Sequence, residues 1–303
     1  FNLQWRLHSF CSIWFWVYMG QYSYQMGYNG LKKSWIFPGQ ASQFVGMGKD
    51  LFNSTDIGKK YYNLANDILE VDIQDISFNG PEEKLKITKF TQPAIFIVSS
   101  IISHLLIERG HLPGCVAGHS LGEYSALTAA GGISFETGLE LVKIRSNSMD
   151  KAGITNPGTM AAIIGLNMDS VVKLANSIKT NEVIVAANHN TENQIVISGN
   201  IDAVNEFVSI AKENGARMAI PLNVSGAFHS SLMQPAREEL ADKLNSIQIS
   251  DINIPLFSNV SAKPIMKGSE IKESLISQLE SPVLWFDTIN NMVSNGNLDF
   301  LEV

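Results

Sequence analysis

Cysteine is nearly missing from this 303-residue chain: only Cys11 and Cys115 occur, at no metal-ligand or disulfide spacing. That sets aside a cystine-stapled secreted fold and a thiolate metal site, and it fits a reducing cytoplasm, with Cys115 read as a small buried apolar residue. Positive charge is also scarce, 22 Lys and Arg against 29 Asp and Glu for a formal charge of -7, with no long basic run. This argues against a nucleic-acid footprint and a polybasic membrane patch, and neither partner is expected. No internal repeat or low-complexity linker interrupts Trp35 to Val303, so two lobes are expected to pack together rather than to be tethered. What the chain does have is an apolar share of 45%, ample for a sizeable core.

Residues 1–33 differ from the rest, being crowded with aromatics such as Trp5, Trp14, Phe15 and Trp16 and lacking a sustained helix or strand period. The apolar run Phe10 to Met19 is about half of the roughly 20 residues needed to cross a bilayer. Arg6 ahead of it resembles a signal-peptide entry, but no small-residue cleavage site follows, so 1–33 are read as an extension outside the domain.

From Trp35 onward short apolar strands alternate with amphipathic helices, the mark of an α/β layer architecture. "SWIFPGQ" predicts a first strand running into a turn, and Thr91 with Pro93 predicts a helix start for "AIFIVSSIISHLLIER", closed by Gly110. A second strand at Cys115 to Ala117 enters "GHSLGEYSALTAAGG", and a further helix covers 135–151. Between 155 and 224 the order becomes βαββαβ, a ferredoxin-like insert of about 70 residues. The larger domain is then 34–154 with 225–303.

Gly118, His119, Ser120, Leu121 and Gly122 form G-x-S-x-G, flanked by the strand and helix that this motif requires. Its glycines allow close backbone approach while the serine oxygen is thrust out at a helix N-terminus. By composition alone the bare pattern turns up about once in ten chains of this length, so the flanking elements carry the reading of Ser120 as a nucleophile rather than a turn serine.

Five separated segments, in order, resemble the malonyl-CoA:acyl carrier protein transacylases and the acyltransferase domains of fatty-acid and polyketide synthases. They are "FPGQASQFVGMG" at 37–48, "GHSLGEYSAL" at 118–127, "MAAIIGL" at 160–166, "GAFHSSLM" at 226–233 and "QLESPVLW" at 278–285. The resemblance implies an α/β-hydrolase-like larger domain with a parallel sheet. It also implies transfer of malonyl from malonyl-CoA to an acyl carrier protein, with coenzyme A thioester as substrate, no cofactor, no metal and a monomeric enzyme. Ser120 becomes the nucleophile and His229 its base, oriented by the backbone carbonyl of Gln278 with support from Asn259. The N–H groups of Gln40 and Leu121 become the oxyanion donors. Arg145, which shares a helix face with Leu141, Val142 and Met149, becomes a fork for the malonyl carboxylate. Phe228 before the base implies malonyl selectivity; His119 and Met149 complete the substrate-binding set, with the His119 ring pointing away from the base position.

Two departures stand out. Ala41 replaces the glycine usual in "PGQGSQ", costing roughly 1 kcal/mol if the position needs a positive φ. The chain stops at "LDFLEV" where the family continues, so it reads as truncated. Two other readings share features of this sequence. A serine esterase or thioesterase of α/β-hydrolase type shares the elbow but expects an Asp or Glu between Ser and His, and often an HGGG loop, which is absent. A non-catalytic acyltransferase-like docking domain is the other.

Overall fold

A computed structural model describes residues 32–303; the aromatic-rich start, with Cys11 and the Phe10 to Met19 run, lies outside the described residues. The chain opens with β1 (Ser34–Phe37), fully buried as four apolar or small residues that have a sheet neighbour on each side. Helices α1 (Lys49–Ser54), α2 (Asp56–Leu69), α3 (Ile73–Asn79) and α4 (Glu82–Leu85) lead to the long α5 (Thr88–Glu108). Then follow β2 (Cys115–Gly118), α6 (Gly122–Ala129) and α7 (Phe135–Thr155), the last capped by Ser134, whose side chain accepts from Thr137 N–H.

The next segment runs β3 (Gly158–Ile164), α8 (Met168–Ser177), β4 (Ile184–Thr191), β5 (Gln194–Asn200), α9 (Ile201–Ala211) and β6 (Met218–Pro221). These four strands form an antiparallel sheet in the order β4-β5-β3-β6, the arrangement expected of a βαββαβ unit. Its helices bury Val171, Leu174, Val204 and Phe207 against Ile163, Ile195 and Ile197 of the strands, a core of its own.

After 224 the chain rejoins the first sheet through α10 (Gln234–Ser246), β7 (Leu256–Phe257), β8 (Pro264–Ile265), α11 (Gly268–Ser277), α12 (Trp285–Ser294) and β9 (Phe300–Glu302). The order is β8-β7-β2-β1-β9, parallel except for the edge strand β8. Helices cover it, so its strands are apolar on both faces. Cys115 is buried as expected, its thiol donating to Ser34 Oγ at 3.3 Å.

Helix α5 begins three residues before the Thr91 start read from sequence, which leaves Pro93 inside it. Proline there removes the bond to the Lys89 carbonyl, and Lys89 is exposed, so water can take that bond. Helix α7 likewise continues past 151 to Thr155. Among the described residues α5 is the one helix long and apolar enough to cross a membrane, but its apolar residues are spent on the core against α7 and α2.

The insert's sheet packs on the larger core through Met160, Ala187 and Val196, and an isolated bridge adds a backbone tie. Val283, ahead of α12, forms a parallel bridge with Asn188 on β4: Val283 N–H donates to Ala187 O and His189 N–H to Val283 O, both at 2.9 Å. His189 Nδ1 lies 2.9 Å from Asp287 on α12.

Candidate active site

At the end of β2 the chain turns sharply into α6. A Cβ on Gly118 would sit 1.9 Å from the Gly122 carbonyl carbon, and one on Gly122 2.3 Å from the Phe37 carbonyl oxygen, so neither glycine can be replaced without moving backbone. Ser120, between them, takes a positive φ of 51°. Asn259, in the loop after β7, braces this strained turn from behind. Its Oδ1 accepts from Ser120 N–H at 2.7 Å and its Nδ2 donates to Gly118 O at 2.6 Å. The expectation that Asn259 helps to orient the base is corrected: both of its side-chain bonds hold the nucleophile turn, and neither goes to His229.

His229 sits just before a 3-10 turn at Ser231–Met233 and also has a positive φ, 59°. Its Nε2 lies 2.9 Å from Ser120 Oγ and its Nδ1 3.0 Å from the Gln278 carbonyl oxygen. A carbonyl can only accept, so Nδ1 carries the proton and Nε2 offers its lone pair to the serine hydroxyl. Burial first, and the Arg145 charge second, push the imidazole down to about 3, so it rests neutral.

Arg145, on α7, is completely buried. Nη1 donates to Gln92 Oε1 at 2.8 Å, and Nη2 donates to Ser120 Oγ at 2.9 Å and to Gln278 Oε1 at 3.0 Å. The serine oxygen thus gives its proton toward His229 and accepts from a cation, which lowers the cost of forming the alkoxide as the proton leaves. Leu141, Val142 and Met149 share the buried face of α7 as the helical spacing predicted. Met149 is packed behind Gln92, its sulfur accepting from Gln92 Nε2 at 3.4 Å, and meets the site through that residue.

The loop after β1 lies against the turn: His119 N–H donates to Phe37 O at 3.0 Å, and Ser42 Oγ donates to Gly39 O at 2.8 Å. Gln40 Nε2 reaches Thr88 Oγ1 at 3.4 Å. Among the described residues the backbone N–H groups of Gln40 and Leu121 make no hydrogen bond. Ala41 has φ of 85°, the positive value at which a methyl group is strained, and its N–H is held by Gln43 Oε1 at 2.8 Å. Ala41, Ser120 and His229 all lie in this site, where strained backbone commonly gathers. Phe228 is buried beside the base. The His119 ring turns away from His229 as expected: Nε2 lies 3.0 Å from Asn190 Oδ1 on β4, and the ring meets Trp285 edge-on. Burial lowers its pKa.

Three contributors escaped the sequence reading: Gln92, the side chain of Gln278, and Glu123. Glu123 lies three positions after the serine on α6 and is completely buried. Its Oε2 accepts from Gln278 Nε2 at 2.6 Å and from Asn259 N–H at 3.4 Å. Burial raises its carboxyl to about 7, against the lowering pull of those two bonds and of Arg145. Helical spacing held a clue, since α6 is buried on nearly every side and a carboxylate within it needs partners.

A serine on a strand-to-helix elbow, bonded to a neutral imidazole in an α/β fold with an antiparallel insert, defines an acyl-transfer enzyme that works through a covalent ester. Residues 34–303 match the family described as the acyl transferase domain, and the chain belongs to that family. It is similar to the malonyl CoA-acyl carrier protein transacylase of Bacillus subtilis (strain 168), 41% identical over 90% of this chain and 86% of that protein. Among solved structures it resembles the malonyl-CoA:ACP transacylase of Synechocystis sp. PCC 6803, with a TM-score of 0.83 and 41% identity over 90% of this chain and 89% of that one. A malonyl-transacylase in complex with a type II PKS acyl-carrier protein superposes with a TM-score of 0.86 at 35% identity, over 90% of this chain and 88% of that one.

Proposed function

We propose that this acyltransferase moves malonyl from malonyl-CoA to the phosphopantetheine thiol of an acyl carrier protein, a step of fatty-acid biosynthesis. Ser120 Oγ attacks the thioester carbonyl while His229 Nε2 takes its proton. The tetrahedral oxyanion is held by the N–H groups of Gln40 and Leu121, and collapse expels coenzyme A, whose sulfur receives the proton from His229. The carrier's thiol then gives its proton to His229, attacks the serine ester, and the proton returns to Ser120 as the malonyl thioester leaves. This is a ping-pong double displacement. Arg145 turns its fork to the malonyl carboxylate, with Phe228 limiting the size of the acyl group. We assign 34–154 with 225–303 to the catalytic lobe and 155–224 to the insert, and read the enzyme as a cytoplasmic monomer that needs no cofactor.

The observation behind this reading is Ser120 Oγ, which stands 2.9 Å from His229 Nε2 and 2.9 Å from Arg145 Nη2. The partner of His229 Nδ1 is a carbonyl and not the carboxylate of a hydrolase triad, which argues against the esterase reading. Intact-mass measurement after mixing with malonyl-CoA tests it. The enzyme should gain one malonyl group and Ser120→Ala none; an adduct on Ser120→Ala, or rapid malonyl-CoA hydrolysis without carrier, would sink it.

A further inference from the structure

The pairing of a serine with its base leaves one buried group without a task, the carboxylate of Glu123. It reaches neither Ser120 Oγ nor His229. Its partner is instead the residue on which three parts of the site converge. Gln278 gives its backbone carbonyl to His229 Nδ1 at 3.0 Å, its side-chain oxygen to Arg145 Nη2 at 3.0 Å, and its side-chain N–H groups to Ser120 O at 3.0 Å and to Glu123 Oε2 at 2.6 Å. Arg145 is fully buried, and the three groups it donates to are all neutral. A buried guanidinium needs a counter-charge. Glu123 supplies one at a remove, through a chain of bonds that runs guanidinium, amide oxygen, amide nitrogen, carboxylate. Glu123 Oε2 also accepts from Asn259 N–H, so one carboxylate ties α6, the Asn259 loop and the Gln278 turn together.

We infer that Glu123 is a positioning residue for acyl selectivity: by anchoring the Gln278 amide it aims the Arg145 fork, and the preference for carboxylate-bearing acyl groups depends on it. The short carboxylate–amide bond fixes the amide's tilt and strengthens its oxygen as an acceptor for Arg145, because linked hydrogen bonds polarise one another. This inference rests on the malonyl-transfer reading above.

Two properties separate this role from a merely structural one. The first is that Glu123 acts through Gln278, so substitutions at the two positions share one effect. The second is protonation. Burial raises the Glu123 carboxyl to about 7, while His229 is held down to about 3, so between pH 8 and 6 Glu123 changes charge and the base does not. The titratable groups around the carboxylate are Arg145 on α7, Tyr124 on its own helix and, beyond Gln278, His229; Tyr124 is pushed up to about 12 and stays neutral in that window.

The test is the ratio of initial Ser120 loading rates with malonyl-CoA and acetyl-CoA, followed by intact mass. In the unaltered enzyme the ratio falls as pH drops from 8 to 6. Glu123→Gln lowers the ratio at pH 8 by about tenfold, within the range expected for residues in direct contact, raises KM for malonyl-CoA, and removes the pH dependence. Gln278→Ala, which keeps the backbone carbonyl, lowers the ratio similarly, and the double variant is no worse than Gln278→Ala alone. An unchanged or raised ratio in Glu123→Gln, a flat profile in the unaltered enzyme, or additive losses in the double variant would overturn the inference. Should Glu123→Gln fail to fold, the wild-type profile and Gln278→Ala still decide. Failure of the unaltered enzyme to load malonyl at all would instead count against the malonyl-transfer reading.

Discussion

Asn259→Ala is the substitution that most directly weighs the bracing of the nucleophile. Asn259 is buried, and its two side-chain bonds, 2.7 Å to Ser120 N–H and 2.6 Å to Gly118 O, go to backbone groups inside the turn. A group left without a partner costs about 1–3 kcal/mol, and the backbone at Ser120, with φ of 51°, loses one of the contacts that hold it in a sparsely populated conformation. Allowing for partial relaxation, a loss of about 3 kcal/mol is expected, a large share of the roughly 5–15 kcal/mol that keeps a domain folded. Urea denaturation measures it, and the malonyl loading rate, expected to fall at least tenfold as Ser120 swings off the His229 axis, measures its consequence. Asn259→Asp separates the two bonds: it keeps an acceptor for Ser120 N–H but sets a second acceptor against the Gly118 carbonyl, and should stay impaired. A loss below about 1 kcal/mol in Asn259→Ala, with loading unchanged, would refute the idea that this side chain holds the elbow.

Other outcomes follow from the same geometry. Arg145→Ala should lose preference for malonyl over acetyl by about a hundredfold, the value of a buried charge-assisted fork, as read by competition between the two thioesters; equal discrimination would remove the proposed carboxylate clamp. Ala41→Gly relieves the positive-φ strain of about 1 kcal/mol and should raise the loading rate by up to about fivefold, whereas a slower variant would show that the methyl group helps to place the Gln40 amide. His229 has its folded pKa near 3, below its ordinary 6.5, so protonation favours the unfolded chain: its contribution is complete above pH 6.5 and is lost as pH falls toward 3. Glu123 runs the other way, since its folded pKa near 7 exceeds 4.5; its contribution is complete below 4.5 and lost as pH rises through 7. His229→Gln should therefore flatten the acid-side decline in unfolding free energy, and an identical decline in that variant would count against the buried neutral imidazole.

How much of this was written in the chain depends on the range of the interaction. The βαββαβ insert was legible because helix and strand periods alternate cleanly from β3 to β6, and the Gly118 to Gly122 pattern because its crowding is local. The pairing of Ser120 with His229 and of His229 with the Gln278 carbonyl came from short segments that resemble a family. Asn259 was placed in the right neighbourhood but on the wrong partner, because a contact with Ser120 N–H spans 139 positions and leaves no periodic trace. Glu123, Gln92 and the Gln278 side chain were overlooked for a related reason. A polar residue on a helix or turn reads as a solvated one unless the partners that bury it are known. The start of α5 was misplaced because Thr91 and Pro93 imitate an N-terminal signal, while the true first turn at Thr88 begins without a side-chain cap.

The bridge between Val283 and Asn188 has a mechanical implication for traffic through the enzyme. It lies only a few positions beyond Gln278, and it is doubled by the His189 to Asp287 and His119 to Asn190 contacts, so the insert cannot swing aside like a jaw without tugging on the segment that sets the base. Substrate entry and product release are accordingly expected to proceed with the two sheets held in register, and a hinge between them would have to break these ties first.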